Sequence, residues 1–149
     1  MACTSVPDER MTSYADFPET RELTARTLSL DSALFRYPYR VRIQDDKGVV
    51  LDLHGTEYFF HAFHYPGFHY LSSFGKRGDA PEEMLSAENL RWNGNFLWTL
   101  DSNKSELTRL GFASSGDSLL RLEAVSLDEE LLRALDFVQY DDSTFIIPD

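Results

Sequence analysis

The chain has 149 residues, 42% of them hydrophobic and 13% aromatic, which is enough core material for one domain and excludes wholesale disorder. Asp and Glu total 25 against 14 Lys and Arg, a formal charge of −11. That sign argues against direct nucleic-acid binding, which needs clustered Lys and Arg against phosphate, and favours a basic protein partner.

Residues 1–17 are polar, carry acids early and lack an apolar h-region, so they read as an N-terminal arm and not as a secretory signal; residues 18–149 read as a single domain. No apolar run reaches the ~18–20 residues of a membrane span. The single cysteine, Cys3, has no internal partner. Together these features predict a cytoplasmic protein. Glu19 to Leu28 has the makings of a short helix. No internal repeat is evident.

Residues 39–55, YRVRIQDDKGVVLDLHG, predict a β-hairpin. A three-residue loop Asp46-Lys47-Gly48 would place Ile43 opposite Leu51, Val41 opposite Leu53 and Arg42 opposite Asp52. Tyr39, Val41, Ile43, Leu51 and Leu53 then share a core face, with Arg40, Arg42, Asp52 and His54 on the solvent side. Arg36, Arg40 and Arg42 form the one concentration of positive charge.

Two aromatic strands, 57–64 and 69–74, flank Tyr65-Pro66-Gly67-Phe68, where Pro then Gly predicts a type II turn with Tyr65 and Phe68 exposed at its tip. Asp79 and Glu82 predict the start of a helix running through Leu85 to Trp92, stopped by Asn93-Gly94. Strands follow at 95–101, 107–113 and 119–125, the last with Leu120, Leu122 and Ala124 inward. Ser126 and Glu129 have the spacing of a capping box opening a helix LDEELLRALDF, and Ser143 to Ile147 predicts a last strand. The expected class is α+β: a mostly antiparallel sheet of hairpins with two short helices packed on it.

Residues 122–149 hold eight acids against Arg133 alone. Asp128, Glu129 and Glu130 suit a first helical turn, whereas Asp136, Asp141 and Asp142 gain nothing from the helix dipole there. The candidate partner-binding set is therefore Asp128, Glu130, Asp136, Asp141 and Asp142, with Tyr65 and Phe68 as aromatic anchors.

All four histidines fall between residues 54 and 69. His64 and His69 face each other across the predicted hairpin, and with His54 they are weak candidate metal ligands, although no carboxylate or thiol has ligand spacing beside them. No nucleophile elbow, phosphate loop or dinucleotide fingerprint is present, no cofactor is indicated, and the reading leans away from an enzyme. The function expected from charge and aromatic tip is an immunity or inhibitor protein covering a basic surface of a bacterial toxin or nuclease. The alternatives are a small-ligand or metal-binding protein or minor enzyme using the aromatic sheet and His64/His69, and an adaptor subunit of a larger complex.

Overall fold

The computed structural model describes residues 19–28, 30, 35–128 and 134–148. Ten antiparallel strands build it: β1 Pro38–Gln44, β2 Lys47–Asp52, β3 Tyr58–His64 and β4 His69–Lys76 form one sheet; β5 Asn89–Asn93, β6 Phe96–Asp101, β7 Glu106–Phe112 and β8 Leu119–Ser126 form a second; β9 Val138–Gln139 and β10 Phe145–Ile146 form a hairpin. Each four-stranded sheet is a plain meander, with strands neighbouring in space as in sequence.

Among the described residues there is no helix, which overturns the α+β expectation. The physical reasons are local. In the segment read as a helix from Asp79 to Trp92, the Leu85 and Ser86 amides donate to the Asp101 carboxylate at 2.7 and 3.2 Å instead of to carbonyls four residues back. The remainder, Leu90 to Asn93, alternates between two faces as β5. In the second, Ser126 ends strand β8 and the Leu127 amide continues the ladder to the Ser105 carbonyl at 2.7 Å. Ala134 to Phe137 leads into β9 without forming a helix; Glu129 and Glu130 lie outside the described residues, as does the arm 1–17 with Cys3. Residues 19–28 are not helical either.

The first hairpin turns on Asp45-Asp46, pairing Gln44 with Lys47 and Ile43 with Gly48, three positions from the predicted register. Asp45 itself adopts the left-handed conformation (φ 51°), which a short polar side chain tolerates, so no glycine is needed in the loop. An odd slip exchanges faces. Arg40, Arg42 and Gln44 point toward the second sheet, while Tyr39, Val41 and Ile43 are 50%, 46% and 46% exposed. At the second turn the Tyr65–Pro66 peptide is cis and Phe68, not Gly67, has positive φ, so it is not a type II turn.

The two sheets pack face to face. Val49, Leu51, Phe60, Ala62 and Phe74 of the first meet Leu90, Leu97 and Leu110 of the second in one core, joined by Met84 and Ala87 from the connection. The far face of the second sheet (Trp98, Leu100, Leu107) is covered by Ala134, Phe137, Phe145 and Ile147. The far face of the first (Val50, Phe63) is covered by Leu30 and Phe35. Leu120 and Leu122, expected inward, are half exposed on the edge strand β8.

Contrary to the expectation of no repeat, the sheets are copies of one unit. The Asp52 carboxylate at the end of β2 accepts from the Arg36 and Tyr37 amides at 2.7 and 2.6 Å, as Asp101 at the end of β6 accepts from Leu85 and Ser86. In each sheet a carboxylate at the end of the second strand holds the chain that enters the first. The β9–β10 hairpin sits on the second sheet as β5–β6 sits on the first: Phe137 and Phe145 pack on Trp98 and its neighbours where Leu90 and Leu97 pack on Val49 and Leu51.

Candidate interaction surface

The first strands of the three units lie side by side and are stitched by polar side chains. Arg40 donates to the Asn89 side-chain oxygen, and Asn89 donates in turn to Asp136. Asp136 is also gripped by both forks of Arg91 (Nη2 to Oδ2 2.7 Å, Nε to Oδ1 3.0 Å) and by the Phe137 amide at 2.8 Å. The Arg91 hydrogen bonds hold its carboxyl below the ordinary Asp range. Further along, Gln44 donates to the Gly94 carbonyl and Asn93 to Gln139. These contacts explain why β1 turns its polar face inward: it meets the polar edge of β5, not an apolar sheet.

The turns at 45–46, 65–68, 94–95, 113–118 and 141–144 lie at one end of the strands, and those at 53–57 and 102–105 at the other. The Tyr65 amide donates to the Asp46 carbonyl at 2.7 Å, and His64 Nε2 lies 3.5 Å from the Asp46 carboxylate. Between the β1–β2 turn and the turn end of the second sheet opens a cavity of about 470 Å³, with Asp45 and Asp46 on its rim and Trp92, Phe96, Phe112 and Leu122 in its wall. Lys47 shows what this wall accepts: its ammonium stands 5.4 Å over the Phe112 ring and 3.4 Å from the Asp46 carboxylate. Arg109 sits likewise 4.9 Å over Phe96.

The candidate residues from the sequence are divided by this geometry. Asp141 and Asp142 lie in the β9–β10 turn, and Tyr65, 37% exposed, stands at the β3–β4 turn. The Ser143 amide and hydroxyl donate to Asp141 at 2.9 and 3.1 Å, and the amide's hydrogen bond above all holds its carboxyl below the usual range. Phe68 is half buried, 6.0 Å from the Phe63 ring, and so is no exposed anchor. Asp128 follows β8 at the opposite end of the sheet, Asp136 belongs to the inner polar run, and Glu130 lies outside the described residues. Among the described residues no single acidic face gathers them.

His64 and His69 are register partners as predicted, but His54 stands beyond the far end of β2, on the order of 20 Å away at ~3.3 Å per strand residue, with its ring against Tyr37. Among the described residues no three metal-binding side chains converge. His61 is buried beneath the Phe35 edge, its Nδ1 2.8 Å from the Ser73 hydroxyl. Sequence reasoning missed Asp45, Asp46 and Lys47 as a cavity rim because it read Asp46 and Lys47 as part of the loop and took Asp45 only as the residue leading into it. The signal for a repeat was present in Leu51-Asp52 and Leu100-Asp101.

Four-stranded meanders stacked face to face, with their first strands adjacent, are the blades of a β-propeller. The chain belongs to the TolB-like 6-blade propeller-like family, whose model matches residues 16–149. It is similar to the crystal structure of a protein from Bacteroides fragilis named as exported, with a TM-score of 0.56 and 15% identity over 80% of this chain. The chain spans 36% of that protein's length, a likeness that concerns the fold alone. No curated protein matches the sequence. Membership of a propeller family overturns the immunity or inhibitor reading as well as the α+β class. The cytoplasmic expectation is corrected too, since membership of this family points away from the cytoplasm.

Proposed function

We propose that this chain is a binding segment of an exported TolB-like propeller, and that its turn-end cavity receives a Lys or Arg side chain of a protein partner. The observation that carries the reading is the pairing of an acidic rim, Asp45 and Asp46, with an apolar wall of Trp92, Phe96 and Phe112. A long cationic side chain has an apolar stem and a charged head, and this cavity offers a surface for each. Lys47 already makes the same two contacts from within the chain. The charge of −11, with Asp141 and Asp142 at the same end, favours the approach of a basic partner.

The test is calorimetric titration of a lysine- and arginine-rich peptide into the intact chain at low and high salt. Binding should weaken with salt and fall about tenfold in the Asp45→Asn, Asp46→Asn double variant, as expected for losing about 1.4 kcal/mol of charge contact. An affinity indifferent to both changes contradicts the reading.

A further inference from the structure

The arginines of the inner strands form a second feature, beside a cavity that shares Gln44 and Trp92 with the turn-end cavity. Arg40, Arg42 and Arg91 come together in a protein that is otherwise strongly acidic. Among the described residues, the carboxylate whose charge acts on Arg42 is Asp136, and it is already engaged by Arg91, Asn89 and the Phe137 amide. Arg42 is half buried, and its guanidinium makes one hydrogen bond among the described residues, Nε to the Leu90 carbonyl at 3.3 Å. Burial first, then the charges of Arg40 and Arg91, lower the Arg42 pKa, and Asp136 only partly opposes them. Among the described residues Arg42 has no ion-pair partner of its own.

Arg42 does not face a closed wall. It lines a cavity of about 500 Å³ between β1, β5 and β9, together with Gln44, Arg91, Trp98, Phe137 and Tyr140. Guanidinium forks match planar oxyanions, and the aromatic members suit an apolar body attached to one. The overall charge of −11 disfavours a dianion more than a monoanion.

We propose that this cavity binds a monoanionic carboxylate carried on an apolar body, with Arg42 as its receiving group and Arg91, Trp98 and Tyr140 around it. A bound carboxylate would give Arg42 the anionic partner it lacks among the described residues. The same chemistry is offered by a free organic acid and by the carboxyl end of a peptide.

The chain's two tryptophans, Trp92 and Trp98, both line this cavity and give a direct readout. Tryptophan emission is followed while phenylacetate, phenylacetamide, inorganic phosphate, and N-acetyl-glycyl-phenylalanine with a free or amidated end are titrated into the full chain. The carboxylates should give a saturable change in the millimolar range or tighter, with the two amides and phosphate about tenfold weaker or more. Whichever carboxylate binds more tightly identifies the source. Arg42→Gln should abolish the response and Arg42→Lys restore part of it, while the melting temperature of the unliganded Arg42→Gln protein holds or rises because like-charge repulsion is relieved. Amides that bind as well as acids, phosphate that binds more tightly, an unchanged response in a folded Arg42→Gln variant, or silence from both carboxylates overturns the proposal.

Discussion

Asp52 and Asp101 stand 49 residues apart and do the same work: each carboxylate is buried at the end of the second strand of its blade and clamps two consecutive backbone amides ahead of the first. Asp101 adds the Ser86 hydroxyl at 2.9 Å and the Lys104 amide at 3.0 Å. Truncating either leaves buried donors without an acceptor. Asp101→Ala should cost about 3–4 kcal/mol and Asp52→Ala about 2–4 kcal/mol, read from urea midpoints. A loss below the usual surface effect at both positions would remove the clamp from the account.

Phe137 fills the far face of the second blade and is fully buried. If the β9–β10 hairpin packs as the start of a third blade, Phe137→Ala should cost about 3–5 kcal/mol, the range for a large side chain lost from a core. A near-neutral result in denaturant unfolding would mean that the hairpin is not docked.

Gly75 and Gly94 both have positive φ, but their surroundings differ. A Cβ at Gly75 would stand 2.6 Å from the buried Phe60 ring and 3.1 Å from the Met84 sulfur, whereas nothing lies within 4 Å at Gly94. Gly75→Ala should therefore cost about 2–4 kcal/mol, combining strain and overpacking, and Gly94→Ala about 1 kcal/mol from conformation alone. Equal costs in thermal melts would show that the inter-blade packing at Gly75 is looser than described.

Burial lowers the His61 pKa, with the Asp52 charge acting the other way. The unfolded chain, near pKa 6.5, then takes up this proton before the folded one does. Its contribution to stability is complete above about pH 6.5 and declines as pH falls from there toward the lower folded value. Unfolding free energies between pH 7 and 5 should slope downward in the parent and be flatter in His61→Asn, which keeps a partner for Ser73. Identical slopes would assign the decline to other groups.

Much of the strand layout was legible in the sequence, because alternation and turn residues are local. The strands predicted at 57–64, 69–74, 95–101, 107–113 and 119–125 overlap β3, β4, β6, β7 and β8. What failed depended on partners distant in sequence. The Asp79-to-Trp92 segment resembles a capped helix only until Asp101, beyond it in the chain, takes its amides. Arg40 and Arg42 looked solvent-facing because their partners, Asn89 and the Leu90 carbonyl, belong to the next blade. Asp136 looked like a charge without local purpose, yet it is the acceptor for Arg91. The repeat was hidden because its equivalent positions share little identity: Val41 corresponds to Leu90 and Ile43 to Trp92, apolar in both but different in size.

The most direct measurement of the central claim is amide NMR mapping of the intact chain with the lysine- and arginine-rich peptide. Shifts should concentrate at Asp45, Asp46, Lys47, Asn95, Phe96 and Phe112 around the turn-end cavity. Shifts confined to the opposite end, at Glu57, Asp79 and Glu82, or none under conditions where a basic partner binds, would contradict it.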